Sequence, residues 1–158
     1  MILDEFFQNL SDEDKILYSE IANQAEKLGY KPKKAKTQAL NLVFSSNKTK
    51  KHIMKFSIEK GNPILKLKFY ASSKYSNIFH ESVRTTIEED HYKYTGCYNC
   101  GKCKDGLEGY VYKYTDGRTY FRCGGELISL PPITHKELPE ILELLNTQHQ
   151  YYLTKDSN

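Results

Sequence analysis

The chain has 158 residues, 39% of them hydrophobic and 27% charged, with a formal net charge of +3 and no tryptophan. That is the profile of a soluble globular chain long enough to bury a core, so size alone demands neither metal nor disulfides. No apolar run reaches membrane-spanning length, and Asp4 and Glu5 stand where a signal peptide would carry lysines, so the expected location is cytoplasmic, with no membrane partner.

Charge is unevenly distributed. Residues 1–30 hold two lysines against seven acids, residues 31–60 hold nine lysines against Glu59 alone, and residues 61–158 balance. A basic segment can mark an anionic partner. The absence of arginine from 31–60 favours lysines that solvate a sheet face and its turns, because arginine is the preferred bidentate reader of phosphate.

Ser11-Asp12-Glu13-Asp14 sets a capping hydroxyl three residues before a carboxylate. Leu17, Ile21, Ala25 and Leu28 then repeat at helical spacing until Gly29. Ile2, Leu3, Phe6, Phe7 and Leu10 share that period and predict a short leading helix. From Thr37 the period becomes two. Leu40, Leu42 and Phe44 define a first strand, followed by a turn at Ser45-Ser46-Asn47-Lys48. Met54, Phe56 and Ile58 define a second, and Leu65, Leu67 and Phe69 a third after Lys60-Gly61-Asn62-Pro63. The three predict an antiparallel meander with Lys55, Lys66 and Lys68 on its wet face.

Phe79, Val83 and Ile87 return to helical spacing across 76–90, and Lys93 to Gly109 reads as a loop. Tyr110 to Cys123 reads as a hairpin. If Asp116-Gly117 is a two-residue type I′ loop, Thr115 faces Arg118 and Tyr110 lies opposite Cys123. That register puts Tyr110, Tyr112, Tyr114 and Phe121 on one face and Lys113, Tyr120 and Arg122 on the other. The aromatic strip could stack nucleic-acid bases, but a core-facing role is favoured by ordinary burial preference. A last strand, Glu126 to Leu130, ends at Pro131-Pro132. The closing helix carries Leu138, Ile141, Leu142 and Leu145; Thr134 and Glu137 suggest a capping box, though Pro139 argues for a start nearer itself.

These elements predict one α+β domain over 1–158, with a cysteine-containing subregion at 94–130. It would hold a three-stranded antiparallel meander, a C-terminal hairpin and strand, three or four helices and one four-cysteine metal site.

All four cysteines fall in that subregion: Cys97-Tyr-Asn-Cys100-Gly-Lys-Cys103, then Cys123 in Arg122-Cys123-Gly124-Gly125. In a reducing compartment such clustering favours metal ligation over disulfides. The hairpin returns Cys123 to the neighbourhood of Cys103, so Cys97, Cys100, Cys103 and Cys123 are expected to bind one structural zinc ion. An iron–sulfur cluster is the rival, but its usual run has a close fourth cysteine followed by proline, whereas Cys123 is followed by glycine. A redox pair at Cys97 and Cys100 is the other, although a loop lacks the helix N-terminus that stabilises a thiolate.

The segments Tyr94 to Cys103 and Arg122 to Ile128 together resemble those of a group of small bacterial proteins of unknown function. These share a Tyr-Thr-Gly-Cys-x-x-Cys-Gly-x-Cys segment and a later Arg-Cys-Gly-x-Glu-Leu-Ile segment. The resemblance implies that the four cysteines act as a set and names no substrate.

No other motif carries chemistry. His91 precedes Cys97 by six residues and reads as a solvent-facing loop residue, since four cysteines already complete a tetrahedron. His52, His80, His135 and His149 are scattered singly, and Glu88-Glu89-Asp90 reads as a solvated helix end. With no nucleophile–base pair, Walker A run or dinucleotide glycine motif, the expected function is a non-enzymatic binding or adaptor domain for a protein or small molecule. One alternative is a thiol redox or metal-dependent enzyme at Cys97 and Cys100. Another is a nucleic-acid-binding protein using Lys31, Lys33, Lys34, Lys36, Lys48, Lys50 and Lys51, although these flank the first strand and would lie at its two ends rather than in one patch.

Overall fold

The computed structural model describes residues 2–36, 39–89, 91–92 and 108–156. The chain opens with α1 (Ile2–Phe7) and α2 (Asp12–Lys27), then runs through β1 (Lys31–Lys34), β2 (Asn41–Ser45), β3 (His52–Glu59) and β4 (Asn62–Leu67). After α3 (Asn77–Glu89) come β5 (Gly109–Lys113), β6 (Thr119–Cys123), β7 (Ile128–Ser129) and α4 (Leu138–Asp156).

The capping chemistry of α2 matches the sequence. Ser11 Oγ accepts from the Asp14 N–H at 3.2 Å. At the other end Gly29 (φ 97°) lets the chain turn back, with Tyr30 N–H donating to Ala25 C=O at 2.9 Å and Gly29 N–H to Glu26 C=O at 3.0 Å. This is a Schellman close, in which glycine tolerates the positive φ and the last carbonyls are satisfied. α4 begins at Leu138, next to Pro139. Glu137 accepts from the Thr134 N–H at 2.9 Å, while Thr134 Oγ1 takes the Lys136 N–H at 3.2 Å, so the capping residues close a turn just ahead of the helix.

The main sheet is antiparallel in the order β1-β2-β3-β4-β7, five strands where the apolar alternation predicts a three-stranded meander and one later strand. The additional strand is β1, Lys-Pro-Lys-Lys, which pairs Lys31 with Ser45 and Lys34 with Leu42. It has no apolar alternation because it lies at the sheet's edge, where lysine and proline are the residues tolerated. Leu42, Phe44, Met54, Phe56, Leu65, Leu67 and Ile128 occupy one face of the paired strands and are fully buried. Phe56 sits at the centre of that face, 5.1 Å from the Phe6 ring of α1 and 5.0 Å from Tyr18 of α2.

On the opposite face Lys55 lies directly across from Lys66, both half-buried, as the alternation predicts. Lys68 departs from it: the residue lies past the end of β4 and is 4% exposed. An irregularity between Phe44 and Ser45 skips Ile53, so Ile53 and its neighbour Met54 are both buried. Such a bulge adds one residue and bends the strand.

β5 and β6 form a separate two-stranded sheet rather than extending the first. Its register differs by one residue from the two-residue-loop reading. Tyr110 pairs with Arg122, Tyr112 with Tyr120 and Gly109 with Cys123. The Gly117 N–H donates to Tyr114 C=O at 3.0 Å and Gly117 has φ 96°, so Thr115, Asp116 and Gly117 form a three-residue loop ending in a left-handed glycine. Asp116 favours this form by accepting from the Arg118 N–H at 3.0 Å and Arg118 Nε at 2.8 Å. Because strand faces alternate, the shift moves Tyr120 and Arg122 onto the Tyr110–Tyr112 face and moves Phe121 opposite Val111.

Among the described residues, one apolar cluster includes members of all four helices and both sheets. Tyr110 links the small sheet to it. It is 2% exposed, its hydroxyl accepts from the Phe69 N–H at 3.2 Å and donates to Glu126 C=O at 3.3 Å, and burial holds its acidity far below that of free tyrosine. None of the described helices is long and apolar enough to cross a membrane.

Candidate functional sites: the cysteine corner and a basic cleft

Of the four expected metal ligands, Cys123 is the one placed; Cys97, Cys100 and Cys103 lie outside the described residues, with most of the loop expected from Lys93. Cys123 ends β6 as a half-buried free thiol opposite Gly109. Its Sγ accepts from the Gly125 N–H at 3.4 Å. Among the described residues no group of three or more His, Cys, Asp or Glu side chains is arranged to hold a metal.

Two glycines shape this corner. A Cβ on Gly109 would lie 2.2 Å from the Arg122 carbonyl oxygen, and one on Gly124 would lie 2.7 Å from the Tyr70 ring and 2.9 Å from the Glu108 carbonyl oxygen. The Gly124 N–H donates to that Glu108 oxygen at 2.9 Å, tying the chain just before β5 to the chain just after β6. The Glu108 side chain is held in turn by an ion pair with Lys155 of α4, both largely buried. Upstream, Tyr92 packs against Tyr120 with ring centroids 4.8 Å apart. Tyr92 therefore abuts β6 toward its turn end, and Glu108 meets the chain just past Cys123.

The tyrosine strip serves packing. Tyr110 is core, Tyr112 and Tyr114 are half-buried, and the Arg118 guanidinium lies 4.7 Å from the Tyr114 ring centre. The Tyr114 hydroxyl donates to Glu88 at 3.1 Å, and its ionisation is pushed up by burial first and by Tyr92 and Glu88 next. Glu88 is thus more than a solvated helix end, since it also pairs with Arg84 one turn back. His91 adopts φ 51° in the turn after α3, and His80 stacks on Tyr75 at 4.3 Å.

His149 has a different setting. It is 9% exposed on α4, and its Nδ1 lies 3.0 Å from the buried hydroxyl of Tyr30, the residue that closes α2. Burial, and secondarily the Lys48 ammonium, hold its pKa below the ordinary 6.5. His149 lines a cleft of about 270 Å³ together with Leu28, Gly29, Lys31, Lys33, Leu153 and the Ser45–Thr49 turn. That turn is tightly built: Ser46 Oγ accepts from Lys48 N–H at 3.2 Å and Thr49 N–H at 3.4 Å, and Thr49 Oγ1 accepts from Lys51 N–H at 3.3 Å.

Sequence spacing separates the two lysine groups at the ends of the first apolar strand, but β1 folds back along β2 and brings Lys31 beside Ser45. Lys31, Lys33 and Lys48 thereby reach one cleft, joined by a histidine more than 100 residues away. The signal that could have found β1 is its own composition, read as an edge strand. Compared with protein-family models, curated proteins and solved structures, the chain matches none.

Proposed function

We propose that the chain is a non-enzymatic binding domain whose hairpin corner is stapled by a zinc ion held by Cys97, Cys100, Cys103 and Cys123. The observation that carries this reading is that both neighbours of the cysteine-bearing segment are anchored on the hairpin that ends in Cys123, Tyr92 against Tyr120 of β6 and the Glu108 carbonyl on the Gly124 N–H. Cys97 follows Tyr92 by five residues and Cys103 precedes Glu108 by five. Each span reaches at most about 17 Å, so chain length permits four sulfurs at one ion. The Gly125 N–H already directed at Cys123 Sγ suits a thiolate, whose charge such donors disperse. Four thiolates close the tetrahedron and leave no position for substrate, which favours a structural staple over a catalytic centre.

Metal analysis of the chain purified without added metal tests the reading. About one equivalent of zinc, lost together with thermal stability in Cys123→Ser, supports it, because structural thiolate sites couple metal binding to folding. Iron with acid-labile sulfide would replace zinc by a cluster, and absence of both metals would overturn the staple.

A further inference from the structure

We propose that the cleft between β1, the Ser45–Thr49 turn and α4 binds a phosphoryl group, carried on a small molecule or free as phosphate, through Lys31, Lys33 and Lys48. The site is separate from the cysteine corner and does not rest on the zinc reading.

Charge comes first. Three lysines line this small cavity, and no carboxylate does so among the described residues. Neighbouring Lys34 is neutralised by Glu5 at 3.4 Å, whereas Lys31, Lys33 and Lys48 form no ion pair among the described residues. Like charges gathered in a concave site create a positive potential that an anion relieves. The Lys48 ammonium is near enough to depress the His149 imidazole, so its charge is felt across the cleft.

Donor geometry comes next. Ser46 and Thr49 are each 6% exposed, and both hydroxyl oxygens already accept backbone N–H groups. What each hydroxyl can still offer is its O–H, which suits a ligand rich in acceptors. The carbonyls at the C-terminus of α2, which would repel an anion, are capped by Gly29 and Tyr30. Lysines act on phosphate as point charges and need no planar bidentate fit, so the absence of arginine is no obstacle here. A volume of about 270 Å³ accommodates a phosphoryl group with part of its carrier, given the ~30 Å³ a water occupies in the liquid. A cleft of that size does not track a polynucleotide backbone.

The test is an NMR titration of the full chain as purified, at constant ionic strength, with ribose 5-phosphate, inorganic phosphate and an oligonucleotide lacking terminal phosphate. Saturable shifts at Ser46, Asn47, Thr49 and His149 are expected, with a Kd of about 1 mM or tighter for the ester. Tighter binding of the ester than of inorganic phosphate identifies an ester ligand, and equal binding identifies the free ion; both support the proposal. Lys33→Ala and Lys48→Ala should each weaken binding about tenfold with melting temperature unchanged, while Lys34→Ala leaves affinity intact. Non-saturating shifts, unaltered affinity in both variants, or oligonucleotide binding as tight as that of the ester would overturn it.

Discussion

The Tyr30 hydroxyl and His149 Nδ1 meet at 3.0 Å with their rings nearly perpendicular, joining the end of α2 to the middle of α4. The contact is buried, and Lys31, Lys33 and Lys48 line the same cleft as the imidazole. Burial first, and the Lys48 charge next, favour a neutral ring.

Acid should therefore loosen this junction. His149 has a folded-state pKa below the ordinary 6.5, so the unfolded chain takes up the proton first. The stabilisation is complete above about pH 6.5 and declines as pH falls toward and through the folded-state value. Denaturant melts of the wild type and of His149→Gln between neutral and mildly acidic pH should show a steeper loss in the wild type. Parallel pH profiles would assign the acid sensitivity elsewhere.

Lys55 opposes Lys66 directly across β3 and β4, and its pKa is lowered by burial, then by Lys66, with Glu59 acting the other way. Like charges at opposed positions destabilise a sheet, and the Glu59–Lys66 pair at 3.6 Å offsets this in part. Lys55→Thr, which also suits a strand, should raise stability by about 0.2–1 kcal/mol. A lower urea midpoint in the variant would contradict this account.

Tyr110→Phe keeps the ring but removes a hydroxyl that satisfies the Phe69 N–H and bonds Glu126 C=O. Leaving a buried donor without its partner costs about 1–3 kcal/mol. The loss should appear as a lower unfolding midpoint with an unchanged denaturant slope.

Gly109→Ala is expected to strain the hairpin where it meets Cys123. The new methyl would sit 2.2 Å from the Arg122 carbonyl oxygen, a backbone atom that moves only if the strands part. Overpacking of this kind costs about 1–3 kcal/mol. Faster amide exchange at Arg122 and Cys123 would localise the damage to this pairing.

Where local chemistry and burial agree, the elements are legible from residues alone. Ser11 and Gly29 bracket α2, and Leu42, Phe44, Met54, Phe56, Leu65 and Leu67 announce their strands because one face is core. β1 is not legible by apolar period, since an edge strand of lysine and proline has no core-facing alternation. The hairpin register slipped because Asp-Gly permits two loop lengths, and the choice rests on Asp116 side-chain bonds to Arg118 that spacing does not encode. For the cysteines, sequence supplies the set and the structure describes Cys123. The cleft was invisible because His149 reads as an isolated histidine until Tyr30 and the turn fold around it.

The Lys-Pro-Lys-Lys strand also bears on how this molecule avoids its own copies. An open sheet edge invites another strand to dock, and lysine charge with a missing proline N–H discourages it. Lys34 is already committed to Glu5, which leaves Lys31 and Lys33 to hold neighbours off by charge. An anion seated against those two would quiet that repulsion and leave Pro32 as the remaining barrier along the strand. Self-association and occupancy of the cleft would then be coupled through the same pair of side chains.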